Sequence, residues 1–233
     1  MKKTPKIIYL LMLFSFLLTS CSKDDDSENN VDSFGVSTGN YFPLAVDNIW
    51  SYHNEIEGSL NEIRIVSTNQ FDSYTYYEFT DTDPTPIQIK QWFGKKGAVY
   101  FLKADDTSFS ENNIFINIKS YELPILKDNY EVNKYWTGSV SPKVTFSGNG
   151  SSGTLPFKVD YSGVNYYKGA VVLKGINYPN VIKTKLNITI NANGQITNSS
   201  EENWFAENIG IIKTITINNG TEVEKNIDSY ALN

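Results

Sequence analysis

The sequence predicts an all-β protein, a single antiparallel meander wound into an open or closed barrel, with a β-sandwich as the alternative and little helix outside the leader. Three observations predict it. Aliphatic residues alternate with polar ones in short runs, Asn-Gly pairs separate some of these runs, and no long stretch carries the 3.6-residue period of a helix.

Taken in order, Ile63 and Ile65 open the alternation, followed by Ile87 and Ile89 and then Ile114, Ile116 and Ile118. Leu186, Ile188 and Ile190 alternate with Asn187, Thr189 and Asn191, and Ile215 and Ile217 close the series. Successive strand side chains point to opposite faces, so each run offers one apolar face to a core. Val99-Tyr100-Phe101-Leu102 and Ala170-Val171-Val172-Leu173 are apolar on both faces, which predicts strands covered by a second layer or by loops. Asn193-Gly194 and Asn219-Gly220 suit type I′ hairpins, whose two central residues need positive φ, so the last fifty residues read as a meander of three or four strands. Asp83-Pro84-Thr85-Pro86 and Gly148-Asn149-Gly150-Ser151-Ser152-Gly153 read as loops. A short helix or turn is expected within Thr107 to Asn113 or Glu201 to Glu207. No repeat of fixed period is visible, against a propeller or solenoid.

Composition bounds the function. Of 233 residues, 40% are hydrophobic and 14% aromatic, enough apolar area for a core and far from a disordered composition. A single cysteine cannot close a disulfide within the chain. The net charge of −6 disfavours nucleic acid, which needs a basic groove.

The N-terminus reads as a processing signal, residues 1–20. Lys2, Lys3 and Lys6 precede an apolar run from Ile7 to Leu18 that is interrupted only by Ser15. As a helix this run reaches about 18 Å, short of the roughly 30 Å hydrocarbon core. Leu18-Thr19-Ser20-Cys21 resembles the bacterial lipobox, which implies lipidation of Cys21 and a membrane partner reached through that lipid. Several acyl chains on one residue make attachment effectively permanent, since each buried methylene contributes about 0.8 kcal/mol. Loss of the three leader lysines moves the formal charge from −6 to −9, so the body is repelled from an anionic bilayer. Ser22-Lys23-Asp24-Asp25-Asp26 is similar to the export tag of Bacteroidota surface lipoproteins and implies an outer-membrane protein facing the cell exterior. Residues 21–40 are poor in apolar side chains and read as a flexible tether with an end-to-end distance near about 25 Å. Residues 41–233 read as one β domain.

Two segments carry a further resemblance. Tyr41-Phe42-Pro43-Leu44, followed by Asn48, Trp50 and Tyr52, resembles the opening of a group of Bacteroidota lipoproteins, and Trp204-Phe205-Ala206 leading to Gly210 and Lys213 is similar to that group's second element. The resemblance implies kinship and no activity. Asp47 stands where the group has glycine, and aspartate tolerates positive φ better than most residues. Physically both segments look architectural: Trp50 and Tyr52 share a face where they can plug one end of the core, and Gly210 permits a close backbone approach.

No catalytic constellation emerges. The only histidine, His53, sits beside Tyr52 with Asn54 as its neighbour, and no G-x-S-x-G elbow occurs. Zinc would need more than one histidine and one lipidated cysteine. Asp81-Thr82-Asp83 and Asp105-Asp106 lack the spacing of a calcium loop. Glu55 and Glu57 read as ordinary solvent-side carboxylates of an early strand, and no phosphate-binding glycine loop is present. We expect neither an enzyme nor a cofactor. Binding is the better match, because Tyr74, Tyr76, Trp92 and Trp136 are candidate ligand contacts whose flat rings stack well on sugars, although aromatics also fill β cores. The reading is a lipid-anchored, non-enzymatic binding or accessory module for a glycan. The alternatives are a carrier for an apolar ligand with a half-barrel cavity, and a structural envelope protein.

Overall fold

The runs at Ile63 and Ile65, Ile114 to Ile118, Leu186 to Ile190, and Ile215 and Ile217 all form antiparallel ladders, while Ile87 and Ile89 lie outside the described residues. The computed structural model describes residues 34–82, 90–111, 113–218 and 220–233, and it contains no helix among them. The first half holds β1 (Ile49–Asn54), β2 (Leu60–Phe71), β3 (Tyr74–Asp81), β4 (Gln91–Lys96), β5 (Val99–Ala104), β6 (Thr107–Glu111), β7 (Ile114–Ile118) and β8 (Tyr121–Lys127). The second half holds β9 (Tyr135–Val140), β10 (Val144–Gly148), β11 (Ser151–Leu155), β12 (Phe157–Leu173), β13 (Ile176–Ala192), β14 (Gln195–Ala206), β15 (Gly210–Asn218) and β16 (Thr221–Ala231).

Twelve of these form one sheet in the order β8-β5-β4-β3-β2-β1-β16-β15-β14-β13-β12-β9, and β11-β10-β7-β6 form a second, smaller one. The large sheet curls into a nearly closed barrel. Its edge strand β8 meets β9 and β12 through side chains: the Trp136 indole of β9 donates to Pro124 O at 3.4 Å, and the Asn165 amide of β12 donates to Lys127 O at 2.7 Å and to Tyr130 O, just past β8, at 3.1 Å. Pro124 has no N–H to give to a ladder, which suits an edge. Bulges at Ser51/Tyr52, Ile65/Ser67, Tyr100/Phe101, Asn165/Tyr167, Gly169/Val171 and Trp204/Phe205 supply the curvature. Asn193 and Gly194 both have positive φ, as the type I′ expectation requires.

The main core gathers Trp50, Tyr52, Ile65, Phe93, Tyr100, Leu126, Ile182, Leu186, Phe205 and Ile212. A second cluster of Tyr76, Trp92, Val99 and Phe101 lies on the other face of β3, β4 and β5, covered by Phe34, Phe71 and Tyr74. This is why Val99 to Leu102 is apolar on both sides.

The two segments set apart by their resemblance meet in space although they lie at opposite ends of the chain. Phe42 packs on Trp50 at 4.9 Å, the Trp50 indole donates to Ile209 O at 2.6 Å, and the Tyr52 hydroxyl donates to Ile211 O at 2.9 Å. A Cβ at Gly210 would lie 2.9 Å from both Phe42 and Trp50, so only glycine fits there. Asn48 is fully buried, donating to Pro43 O and accepting from the backbone of Asn233, and Asp47 has φ 69°. These residues hold the fold.

Several expectations are corrected. The stretches Thr107 to Asn113 and Glu201 to Glu207 contribute strands β6 and β14, with turn residues at Asn113 and Glu207 and no helix among the described residues. Polar side chains hide the alternation in β14, because Asn203 points into the barrel with Thr184, Thr214 and Lys225, its partners in register. Ala170 to Leu173 is not enclosed on both faces: it forms the projecting tip of the β12–β13 hairpin, where Val172 is 68% exposed. Glu55 and Glu57 follow the end of β1 and lie in the turn before β2. The tether expected to run to residue 40 is docked from Phe34 onward. Its anchor is Asp128, a fully buried carboxylate that accepts from the Ser37 hydroxyl and from Thr38 N at 2.9 Å. A segment with few apolar residues is thus ordered by hydrogen bonds to a charge, which are worth more than neutral ones.

Candidate functional site

Cys21 and the tag residues Ser22, Lys23, Asp24, Asp25 and Asp26 lie outside the described residues. Of the four candidate aromatic contacts, three are enclosed: Tyr76 is 1% exposed and Trp92 and Trp136 are each 4% exposed. The Tyr76 hydroxyl donates to the Glu122 carboxylate, and burial followed by that carboxylate pushes its pKa up. Trp92 packs edge-on against Phe71 at 5.4 Å, and Trp136 lies over Gly163, too close for any Cβ there. Tyr76 and Trp92 meet Tyr74 in the second core cluster, as packed interior and not as an open platform, while Trp136 lies apart at the β8–β9 seam. A ring with no free face has nothing to stack on a sugar, so these three act as core.

Tyr74 is different. It is half-buried and lines an open cleft of about 340 Å³, within the lower range for small-molecule sites. The β2–β3 hairpin forms one wall with Ser73, Tyr74, Thr75 and Tyr77, while the incoming chain forms the other with Asn40, Phe42 and Leu44. Lys95 of β4 completes the lining. Each position has a local cause. Asp72 and Ser73 both take positive φ to close the hairpin, which sets Ser73, Tyr74 and Thr75 at its lip. The entering chain is held in place by Asp128 and by the hydrogen bond from Tyr41 N to the Tyr100 hydroxyl at 2.9 Å.

Among the described residues, Lys95 is the only charged side chain of the lining. Its ammonium donates to Gly39 O at 3.0 Å, stands 3.9 Å from the Asp128 carboxylate and lies 4.6 Å from the centre of the Tyr100 ring. Burial holds its pKa below the usual lysine range, with Asp128 opposing that shift. The sequence missed Lys95, since a lone strand lysine carries no signal of the cleft it faces. Rings, hydroxyls, an amide and one cation in a shallow opening can hold a small polyhydroxylated ligand by stacking and hydrogen bonding.

The other chemistries considered have less to stand on. His53 Nδ1 is 3.6 Å from Glu55, whose carboxylate is engaged by Lys174 at 2.6 Å and by Asn226 at 3.0 Å. Asp106 is occupied by Lys119 and by Ser120 N. Among the described residues no group of three His, Cys, Asp or Glu is placed to hold a metal ion. The barrel interior near the main core is filled by the large rings of Trp50, Tyr52, Phe93, Tyr100 and Phe205, the reverse of the dry aliphatic cavity expected of an apolar-ligand carrier.

No protein-family model matches the chain. No curated protein matches it either. Among solved structures, the chain is similar to a candidate lipoprotein of Parabacteroides distasonis at 14% identity and a TM-score of 0.45, over 83% of this chain and 99% of the other. It is similar as well to a candidate exported protein with a YmcC-like fold from Bacteroides fragilis at 10% identity and a TM-score of 0.45, over 83% of this chain and all of the other. Likenesses this low carry no function across.

Proposed function

We propose that the chain is a lipid-anchored protein of the outer membrane, facing the cell exterior, and that its body works as a non-enzymatic binding module for a small glycan. The anchor rests on Cys21 at the end of an apolar leader and on the acidic tag behind it. The observation that carries the binding role is the open cleft in which Tyr74 and Tyr77 stand beside Ser73, Thr75 and Lys95. One aromatic face stacked on a sugar ring contributes on the order of 1 kcal/mol beyond its buried area. Such a cleft therefore suits weak, contact-based capture.

Two experiments test the halves separately. Replacing Cys21 by Ala should release the protein from membranes, and a variant that still fractionates with the envelope would refute the anchor. Screening the purified chain on a glycan array and repeating positive titrations with Tyr74→Ala and Tyr77→Ala tests the cleft. Binding that survives both substitutions would place the ligand elsewhere. A structural envelope role is the second reading, favoured by the closely filled interior. It predicts no saturable glycan binding and an envelope defect on deletion.

A further inference from the structure

The cleft differs electrostatically from the chain that builds it. The protein has 26 acidic and 20 basic side chains, yet among the described residues no carboxylate lines the cleft and one ammonium does. The carboxylate beside the Lys95 ammonium, Asp128, is fully buried and occupied by Ser37 and Thr38, so it does not face a ligand; Asp72 precedes Ser73 in the hairpin turn but is not among the lining residues. Lys95 has three N–H donors and lines the cleft with 28% of its side chain exposed; one donor goes to Gly39 O at 3.0 Å and the Asp128 carboxylate at 3.9 Å lies beyond hydrogen-bond reach, so a donor remains for a ligand.

We infer that the cleft takes a sugar bearing a carboxylate, a uronic-acid type of ligand, and that the Lys95 ammonium selects the acid over its neutral counterpart. This rests on the glycan reading above and narrows it to one chemical class. The sugar ring stacks on Tyr74 or Tyr77, the hydroxyls meet Ser73, Thr75 and Asn40, and the carboxylate takes the third donor of Lys95. Burial without full compensation leaves this ammonium below the usual lysine range, so an anion beside it regains what desolvation removed. A neutral sugar offers no such gain.

The test compares oligogalacturonate with its fully methyl-esterified form, which keeps the shape and removes the charge. Both are titrated calorimetrically against the full chain in detergent, with inorganic phosphate as a third probe. The acid should bind about tenfold more tightly than the ester, the size of one charge-assisted hydrogen bond, and the gap should narrow as salt rises. Lys95→Gln should abolish the gap, so that this variant binds acid and ester with equal affinity. Lys95→Arg should keep the gap, and it guards against a Gln variant that loosens the segment held through Gly39. Equal affinity for acid and ester, or a gap that survives Lys95→Gln, overturns this inference while the glycan reading stands. Phosphate binding as tightly as the acid overturns it too, since the site would then recognise a bare anion. If neither sugar binds up to millimolar concentration, both readings fall.

Discussion

The seam that closes the barrel makes a sharp prediction at Gly163. This residue pairs directly with Trp136, and a Cβ built on it would lie 2.2 Å from two indole carbons and 2.6 Å from the indole nitrogen. Ordinary contact needs about 3.5–4 Å, so in Gly163→Ala the ring must move by more than about 1 Å. It has little room, because Tyr130 packs edge-on at 6.0 Å and the indole is bonded to Pro124 O. Overpacking of this kind costs about 1–3 kcal/mol, and loss of the indole hydrogen bond adds about 1 kcal/mol. Restricting the unfolded chain returns about 0.4–1 kcal/mol. The net expectation is a loss of about 1–3 kcal/mol, or a Tm lower by roughly 2–12 °C for a domain of this size. Thermal melts followed by circular dichroism, with urea unfolding as a check, would measure it. In a Trp136→Leu background the same glycine substitution should cost almost nothing, since the clashing ring is gone. Equal costs in both backgrounds would refute the reasoning, because two residues in contact must couple.

Three further outcomes are expected. Asp128→Ala removes the acceptor for Ser37 and Thr38, so chymotrypsin cleavage after Phe34 should accelerate at least about tenfold; an unchanged rate would mean that the segment is held by other contacts. Burial raises the pKa of Glu201 despite the Asn203 amide and Lys225. Its proton is therefore held more tightly in the folded state, and its contribution to stability falls as pH rises through the folded pKa; Glu201→Gln should raise Tm at pH 7 and leave it unchanged near pH 4. Glu55 has the opposite sign, its pKa lowered to about 2 first by the hydrogen bond from Lys174 and then by Asn226. The tie from the β12–β13 tip to the turn after β1 should hold above about pH 4.5 and loosen as pH falls toward 2, visible as faster amide exchange at the tip and absent in Glu55→Gln.

Much of the architecture was legible because it follows the period of two. The isoleucine runs became β7, β13 and β15, and Asn193-Gly194 became the turn it resembles. β14 was hidden because its inward side chains are polar: Asn203 accepts from the Thr214 hydroxyl and donates to Glu201 inside the barrel, so the binary pattern that marks a strand is inverted. The docked segment before residue 41 was hidden for another reason. Its partner Asp128 lies some ninety residues away in sequence, and no local pattern announces a long-range hydrogen bond. The cleft was half legible. Tyr74 was a candidate by residue type, but type cannot tell it from Tyr76, two residues on and on the same face of β3, whose ring is buried. Lys95 is defined only by what the fold sets around it.

The pairing of β1 with β16, in which Ile49 lies opposite Ala231, bears on how such a chain is made. The earliest strand of the barrel finds one of its two neighbours only when the last has been synthesised. Until then a hydrogen-bonding edge on each side stays open, and the sheet has no way to shut on itself. A chain with this clasp keeps unpaired edges for nearly its whole length and locks once β16 arrives. Shortening the chain by that one ribbon would thus cost far more than eleven residues' worth of contacts.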